Sequence, residues 1–570
     1  MKILFSALHF ANLRNYESVV RLLAERGHRV HLIAEEPETF GGQALVERLA
    51  AEHPTVSWGW APSPSEEPWF SFAQKVRFAL EYVRFLGPEY AQAQKLRMRN
   101  IMRVPRVVRW VCAGIGWTGI GQRAILRVLK WLERHIPLSR DVEAFLAAQR
   151  PDVLLLTSLT VARSTEVHQL KAARALGIRS AACILSWDHL SSKALLHIAP
   201  DRTLVWNDTQ KTEAVHLHGL PAESIAVTGA QCYDQWFDRR PGRTREEFCA
   251  SVGLDPARRF VLYVCSAMSP LPNPLEPVFV RDWVQALRAS EDSEVREAAL
   301  LIRPHPERER EWRGIDLDGF ENVVVSGRTP IDSDAKADYF DALFYSDAVV
   351  GLCTSAFLEA AIVGRPVLTL LLPAFRLHQE GMAHFRYLLT VGGGLLHTAP
   401  DLDAHIGQLG TAMRGRGARD ERNQRFLQEF IRPRGLTVPA TPSFVDAVES
   451  LVEHPQPRSA PSTAPASAEA RVRRLAAMTV SGLGAWLMMD LIEAGRAKSG
   501  RELAVLKGEL IAAQQAYRRA KLERARQVAR EKEGQQRSKS WARWRRGLSA
   551  RKLLARFAGS MKQMFDARQP

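Results

Sequence analysis

An arginine and a histidine, each followed by a proline, end an apolar run in the middle of the chain. The run spans residues 298–302, and Arg303-Pro304-His305-Pro306 follows it directly. Such a run is typical of a strand covered on both faces of a parallel sheet, and the prolines hinder continuation as a helix. Open parallel sheets bind ligands beyond the carboxyl ends of their strands. A guanidinium and an imidazole placed there suit a phosphorylated ligand. The alternative is a loop in which Arg303 pairs with a nearby glutamate.

A second motif is a strand-to-helix junction further along. A predicted strand ends at Gly351, and Thr354-Ser355 begins a helix of small and apolar residues that Gly364 stops. A hydroxyl at that junction caps the helix, and the free N–H groups and the dipole favour a phosphate. Glu359 lies one turn deeper on the same face. Its carboxylate could accept hydrogen bonds from ribose hydroxyls, or it could be an acid favoured only by the dipole.

Candidates for proton transfer follow other predicted strands. His9 comes directly after the first strand, and an imidazole can take a hydroxyl proton near neutral pH; the alternative is a loop histidine without a role. Asp188 and His189 follow a later strand. They could orient a base or bind a substrate, or Asp188 could simply cap a short helix. His384 and Arg386 are further candidates in the second half.

Strand-like runs alternate with amphipathic helical segments in two series, and this arrangement positions the motifs. The predicted strands of the first series are residues 3–8, 30–34, 152–158, 178–185, 202–208 and 224–230. Those of the second series are residues 260–267, 298–303, 322–327, 347–352 and 366–372. The alternation predicts an α/β protein with two Rossmann-like domains, residues 1–240 and 241–453.

The positive charge is concentrated at the carboxyl end. The 570-residue chain has a formal net charge of +16, and residues 471–570, with 24 Lys and Arg against 8 Asp and Glu, carry all of it. A linker rich in Pro, Ser and Ala at 454–470 precedes this predicted helical tail. The charge indicates an anionic partner, membrane or nucleic acid. The amphipathic spacing in residues 541–565 favours membrane over nucleic acid, and residues 501–533 could form a coiled coil with a protein partner.

A second basic segment lies within the first predicted domain. Residues 95–134 contain ten Lys and Arg and one acidic residue, interleaved with Trp110, Trp117 and Trp131. Cationic helices that carry tryptophans suit a bilayer interface. The alternative is ordinary core helices with solvated arginines.

The remaining composition indicates a reduced, cytoplasmic setting. Six scattered cysteines include no CxxC pair, and no apolar run reaches 18 residues, so we expect neither disulfides nor a spanning helix. No Asp-x-Asp motif lies near a strand end, and we predict neither a metal nor a cofactor. The expected location is the inner face of the cytoplasmic membrane.

The motifs of the second half together resemble a known superfamily. IRPHP, followed by G-x-x-T-S-x-x-x-E-A-x-x-x-G-x-P-V, resembles the carboxy-terminal half of GT-B glycosyltransferases. The pattern is most like the CDP-glycerol glycerophosphotransferase and capsular-polysaccharide transferase group, and is similar to the UDP-N-acetylglucosamine 2-epimerase fold. The resemblance implies two facing Rossmann-like domains, with a nucleotide-diphosphate donor held mainly by the second. It implies donor-binding roles for Arg303 and His305 at the phosphates, Thr354 and Ser355 at the pyrophosphate, Glu359 at the ribose, and Ser266 in a phosphate loop.

The function expected from this resemblance is transfer of a sugar or polyol phosphate. The acceptor would be lipid-linked or a polysaccharide, and the first domain would hold it together with the base. One alternative is a nucleotide-sugar epimerase on the same fold, although the sequence lacks the acidic cluster and paired-glycine loop expected of one. The other is a non-catalytic, membrane-associated scaffold that keeps only the fold.

Overall fold

The computed structural model describes most of the first 453 residues. It covers residues 1–453 and residue 559, except residues 39–40, 102, 117, 268–274, 313–314, 316, 318, 328–332 and 416–419. The predicted linker at 454–470 and the predicted basic tail therefore lie outside the described residues, apart from residue 559. Trp117 also lies outside them.

The first sheet has seven parallel strands in the order β3-β2-β1-β4-β5-β6-β7. These strands are β1 (Lys2–Ala7), β2 (Arg29–Ala34), β3 (Val56–Trp60), β4 (Val153–Leu156), β5 (Arg179–Cys183), β6 (Arg202–Val205) and β7 (Ile225–Val227). β1 and β4 are buried along nearly their whole length, as expected of central strands covered by helices on both faces. The strand order reverses between β1 and β4, which places the ligand crevice of such sheets at this point.

The second sheet repeats this order with six parallel strands, β10-β9-β8-β11-β12-β13. They are β8 (Phe260–Val264), β9 (Ala299–Arg303), β10 (Val323–Val325), β11 (Ala348–Gly351), β12 (Val367–Leu370) and β13 (His397–Ala399). The predicted fold class, two Rossmann-like domains with parallel sheets, is confirmed by the two sheets themselves. The edge strands β3 and β13 are additional to the predicted set.

Helices cover both sheets. Those between β1 and β8 are α1 (Glu17–Glu25), α2 (Gly42–Glu52), α3 (Phe70–Arg84), α4 (Gln94–Ile101), α5 (Arg106–Val111), α6 (Gly119–His135), α7 (Arg140–Gln149), α8 (Glu166–Ala175), α9 (His189–Ser192), α10 (Asp208–His216), α11 (Asp234–Asp238) and α12 (Arg245–Val252). The later ones are α13 (Leu275–Arg288), α14 (Ser293–Glu297), α15 (Ser333–Tyr345), α16 (Ala356–Ile362), α17 (Phe385–Thr390), α18 (Leu402–Arg414), α19 (Glu421–Phe430) and α20 (Ala440–Glu453). Helices α3 to α6 form an insertion between β3 and β4.

The last helix, α20, returns to the first sheet. Its side chains Phe444, Val445, Val448 and Leu451 are buried in the same apolar cluster as residues of β1 and α1. The chain thus crosses between the domains twice, once after α11 and again after α19. The exact domain boundaries stay a prediction.

A buried aspartate holds the second crossing. The Asp234 carboxylate accepts hydrogen bonds from Arg432 Nη2 at 2.8 Å, from Ala440 N at 3.0 Å, and from both the backbone N–H and the hydroxyl of Thr441 at 2.7 Å. The Arg432 and Asp234 side chains are only 4% and 10% exposed. Because both groups are desolvated, removal of either leaves the other charge without its opposite charge in a poorly solvated site.

We therefore expect Asp234→Ala to destabilise the protein by roughly 3–5 kcal/mol, the usual effect of breaking a buried ion pair from one side. Urea unfolding followed by tryptophan fluorescence measures this. The matched control is Glu380→Ala, which breaks an ion pair with Arg376 whose side chains are 47% and 76% exposed and should change stability by less than about 1 kcal/mol. Equal effects of the two substitutions would contradict the role given to Asp234.

Candidate functional site

Two loops at the switch point of the second sheet carry predicted site residues. Ser266 follows β8, and Thr354 and Ser355 lie between β11 and α16. The Thr354 hydroxyl accepts from Ala356 N at 3.3 Å. Ser355 is exposed at the helix start, and its side chain makes no capping hydrogen bond. The predicted junction is therefore present, with Thr354 rather than Ser355 satisfying a helix N–H group.

Glu359 lies in α16 against an aromatic hydroxyl. Tyr339 in α15 donates a hydrogen bond to Glu359 Oε2. Burial raises the pKa of Glu359 to about 7, against the opposing effects of the Tyr339 hydroxyl and of Arg14 from the first domain. The influence of Arg14 shows that the first domain lies close to this carboxyl group.

The Arg303 guanidinium lies against α15. It pairs with Asp338 at 2.9 Å, lies 5.1 Å from the centre of the Tyr339 ring, and its side chain is 7% exposed. Gly327 approaches so closely that a Cβ there would lie 2.8 Å from Arg303 Cζ. Arg303 and Glu359 thus both contact Tyr339. Any donor contact by Arg303 is made from this anchored position, and its predicted role stays a prediction.

His305 and Ser266 occupy different surroundings. His305 is half-buried, and its carbonyl accepts from Arg308 N at 2.8 Å. Ser266 is buried: its N–H donates to Glu276 Oε2 at 2.9 Å, and its Oγ accepts from Cys353 N at 3.0 Å. Ser266 therefore links the β8 loop to the β11 loop, and the structure brings its hydroxyl to protein partners. The predicted phosphate contacts of both residues stay predictions.

His9 lies at the switch point of the first sheet. Its Nδ1 lies 3.2 Å from the Glu36 carbonyl, and its Nε2 lies 2.7 Å from Arg163 Nη2. Since the carbonyl can only accept and the guanidinium can only donate, these contacts fit the tautomer with a proton on Nδ1. The Nε2 lone pair is thus available as a base once Arg163, whose side chain is 60% exposed, moves away.

Asp188 lies beyond β5, two strand positions from His9. Its carboxylate is 3.5 Å from Lys193 Nζ, and the side chain of Asp188 makes no capping hydrogen bond to α9. Burial would raise the pKa of Asp188, but Lys193, His189 and His384 outweigh it and hold the pKa below its usual range. Asp188 is therefore an anion at neutral pH.

His384 of the second domain contacts the segment that follows β5 in the first domain. Its Nδ1 lies 2.9 Å from Ser192 Oγ, and its ring lies 4.7 Å from the Trp187 ring in an edge-to-face contact. Burial lowers the pKa of His384 to about 4, although Asp188 opposes this shift. Asp188, His189 and His384 thus lie together at the domain boundary as one carboxylate beside two neutral imidazoles.

One further cross-domain contact was not predicted from the sequence. Tyr387 in α17 donates a hydrogen bond to Glu213 in α10, and burial raises the pKa of Glu213 to about 7. Glu213 and Tyr387 lie in amphipathic helices whose patterns look ordinary, so only their distance in space reveals the pair. Arg386, also a candidate, is exposed and donates to Gln92 Oε1 at 2.9 Å.

The basic insertion presents apolar side chains to solvent. Trp110 is 69% exposed and Trp131 is 48% exposed. Four more large apolar side chains of the insertion are exposed: Val107, Val111, Ile120 and Val128. The inner face of α6 packs on α3 through Leu129. The insertion therefore has a buried apolar face and a second, exposed one.

Two kinds of feature are absent from the described residues. No group of three or more His, Cys, Asp or Glu side chains there is placed to hold a metal ion. Nor does any helix in the described part of the chain combine the length and hydrophobicity needed to cross a bilayer.

No protein-family model matches this sequence, and no curated protein matches it. Among solved structures, the chain is similar to a glycosyltransferase from Rickettsia africae, with 11% identity and a TM-score of 0.47 over 80% of this chain and 99% of that one. It is similar to the UDP-GlcNAc 2-epimerase from Methanocaldococcus jannaschii, with 12% identity and a TM-score of 0.45 over 79% and 99% of the two chains. It is also similar to the UDP-GlcNAc 2-epimerase from Neisseria meningitidis bound to UDP-GlcNAc, with 11% identity and a TM-score of 0.45 over 79% and 100%. Similarity this distant does not transfer a ligand or a reaction to this chain.

The buried Glu276 gives the site a testable pH dependence. Burial raises the pKa of Glu276 to about 8 despite hydrogen bonds from Ser266 and Tyr263. Between the ordinary pKa of a glutamate and pH 8, the folded protein keeps a proton that the unfolded chain has lost, so stability falls as pH rises.

We expect Glu276→Gln to remove this component, because the amide is neutral at every pH. Between pH 5 and pH 8, the free energy of unfolding of the variant should rise relative to that of the wild type by up to about 1.4 kcal/mol per pH unit. Urea unfolding at several pH values measures this difference. Glu380→Gln, at an exposed position, is the control and should show no such trend. A pH-independent difference for Glu276→Gln would contradict the assignment.

Proposed function

We propose that the protein is a GT-B type transferase that moves a sugar or polyol phosphate from a nucleotide-diphosphate donor to a lipid-linked or polysaccharide acceptor. The observation that carries this proposal is the meeting of Asp188, His189 and Ser192 of the first domain with His384 of the second. Polar groups from the carboxyl edges of two Rossmann-like sheets converge there, where a reaction between two bound substrates would take place. The resemblance of the sequence motifs to GT-B transferases gives the reaction class.

The donor side of the proposal rests on α16 and its surroundings. Backbone N–H groups at the start of this helix, near Thr354 and Ser355, would bind the diphosphate, and Glu359 would accept from the ribose hydroxyls. Arg303 would support the same region from its place against Tyr339. These donors stabilise the negative charge that the nucleotide gains as the leaving group departs.

The acceptor side supplies the base. The acceptor oxygen forms a bond to the transferred group while the bond from that group to the donor phosphate breaks, and the hydroxyl proton passes to a base. His9 offers an imidazole whose contacts fit a proton on Nδ1 and a lone pair on Nε2. Asp188 offers a carboxylate that is charged at neutral pH and would position the acceptor or take the proton.

The exposed face of the insertion supports an acceptor held at a membrane. Trp110 and Trp131 are exposed among cationic side chains such as Arg123, Arg127 and Lys130, which are exposed as well. Tryptophans next to basic residues suit the interface of an anionic bilayer. In this proposal the insertion binds the inner face of the cytoplasmic membrane, and the basic tail adds to that attachment.

Two other functions make different predictions. A nucleotide-sugar epimerase would convert a soluble donor without any acceptor and would not use the exposed tryptophans. A scaffold that keeps only the fold would bind no nucleotide. Turnover of the donor alone would favour the first, and the absence of nucleotide binding would favour the second.

We expect at least one of UDP-, GDP-, CDP- and dTDP-linked donors to raise the melting temperature of the full-length protein, since a ligand that binds only the folded state stabilises it. Arg303→Ala and Glu359→Ala should abolish this shift. In Arg303→Ala, the Asp338 carboxylate still pairs with Arg243 at 3.0 Å, so this substitution does not leave a carboxylate unpaired. Arg414→Ala, at the end of α18, removes an exposed pairing with Asp292 and is the control. Donor binding that survives both changes would refute the site.

We expect Trp110→Ser combined with Trp131→Ser to weaken insertion into anionic vesicles, because the two side chains supply the exposed aromatic surface of the insertion. Quenching of tryptophan fluorescence by brominated lipids reports the insertion. Trp60→Ser, at a position that is 44% exposed but outside the insertion, is the control. If the double variant and the control lose quenching equally, the insertion does not contact the membrane.

A further inference from the structure

Helix α4 of the insertion contacts the second domain. Leu96 lies in one apolar cluster with Phe85 and Tyr90, and Met382 and Ala383 of the segment between β12 and α17 pack against this cluster. The contact brings α4 to the carboxyl edge of the second sheet. Side chains next to Leu96 on α4 therefore lie at the domain boundary.

Lys95 is half-buried at this boundary. Within the described part of the chain, its ammonium group has no hydrogen bond and no carboxylate partner. Its charged neighbours are Arg99, Lys193 and Arg308. Burial, with these three cations, lowers the pKa of Lys95 to about 8. Lys95 and Arg99 are one turn apart on α4, and Arg99 donates a hydrogen bond to the carbonyl of Ser192, the residue before Lys193. Arg308 lies in the segment that follows β9 of the second domain.

Two of these cations pair with carboxylates of the described residues, and two do not. Lys193 pairs with Asp188 at 3.5 Å, and Arg308 pairs with Glu311 at 2.6 Å. The Nε of Arg99 is buried and has no hydrogen-bond partner among the described residues. Lys95 and the Arg99 Nε are thus donors that the described residues leave without an acceptor, and an anion at this place would satisfy them.

A buried histidine lies beside the same cations. His378 is 3% exposed, and neither ring nitrogen has a hydrogen-bond partner within the described residues. Burial, together with Lys95 and Arg308, lowers the pKa of His378 to about 3. The imidazole is thus neutral and keeps one N–H to donate and one lone pair. Buried polar groups of folded proteins are nearly always paired, so a ligand is the expected partner.

We propose that Lys95, Arg99, Lys193, Arg308 and His378 form a subsite for a phosphoryl group, either a phosphate or a diphosphate, between the two domains. This inference rests on the proposed function and deepens it. Ammonium and guanidinium groups and an imidazole N–H all donate to phosphate oxygens. Cys353, which interacts with Lys95, directly precedes Thr354, so the subsite adjoins the start of α16. The site is complete only when both domains contribute.

The test is calorimetric titration of the full-length protein with inorganic pyrophosphate at neutral pH. We expect the wild type to bind, and Lys95→Met and His378→Phe each to weaken binding at least about tenfold, since each removes a donor to a charged ligand. Lys95→Arg should keep most of the affinity because it keeps the charge. Binding should also weaken as salt is raised.

The matched control is Lys75→Met, at another half-buried lysine of the first domain, which should bind pyrophosphate as the wild type does. Lys95→Met should fold at least as well as the wild type, because methionine fills similar space without a buried charge. A wild type that does not bind pyrophosphate, or a Lys95→Met variant that binds it as tightly as the wild type, overturns the proposal.

Competition identifies the source of the phosphoryl group. If a saturating nucleoside diphosphate abolishes pyrophosphate binding, the subsite takes the donor phosphates. If only a short-chain isoprenyl phosphate competes, it takes the phosphate of a lipid acceptor. Both results support the subsite.

The experiments distinguish a failure of the subsite from a failure of the proposed function. Nucleotide binding that requires Glu359, together with pyrophosphate binding that is unchanged in Lys95→Met, removes the subsite and leaves the transferase. Pyrophosphate binding that requires Lys95, with no nucleotide bound, keeps the subsite and removes the nucleotide donor.

Discussion

The buried carboxylate of Asp234 is the interaction on which the relation between the two domains depends. It accepts hydrogen bonds from Arg432, Ala440 and Thr441 at the place where the chain returns from the second sheet to the first. Each sheet alone would place its polar loops along its own carboxyl edge. Only a fixed crossing brings those edges together, so that His384 reaches Ser192 and α4 reaches the segment around His378.

The boundary between the domains is a poorly solvated place that holds many ionisable groups. Burial raises the pKa of Glu359 and of Glu213 to about 7 and lowers that of His384 to about 4. Asp188 is the exception, because Lys193 above all outweighs burial and holds its pKa below the usual range. Such separation of pKa values assigns different roles to chemically similar groups. Asp188 can serve as an anion at the pH where Glu359 and Glu213 exchange protons.

The central strands and the strand-to-helix junctions could be predicted from the sequence, because a strand covered on both faces is apolar along its whole length. The edge strands β3 and β13 could not. β3 contains Gly59 and is only partly buried, and β13 has three residues, so neither gives a continuous apolar run. The return of α20 was not visible either, since an amphipathic helix does not show in its sequence which sheet it covers.

The residues of the candidate site likewise fall into those that the sequence predicted and those that it did not. Thr354, Glu359, Asp188 and His384 were found because they follow strands or lie in recognisable motifs. Lys95 and His378 were not, because what distinguishes them is that they have no partner among the described residues, which no local pattern encodes. Arg303 lies at the predicted strand end, but its pairing with Asp338 depends on α15, some 35 residues later.

The double crossing of the chain also limits how the domains can move. The second crossing lies beside α11, from which the first crossing starts: Ala230, shortly before α11, donates its N–H to the Ile431 carbonyl at 2.9 Å, and Asp234 in α11 accepts from Arg432. Two bodies joined at two adjacent points can rotate about the line through them but can hardly slide or twist apart. Opening would then separate the far end of the cleft most and disturb the region around Asp234 least. Substrates would enter from the side opposite the crossing, and a small angular change there would be enough to detach α4 from the second domain.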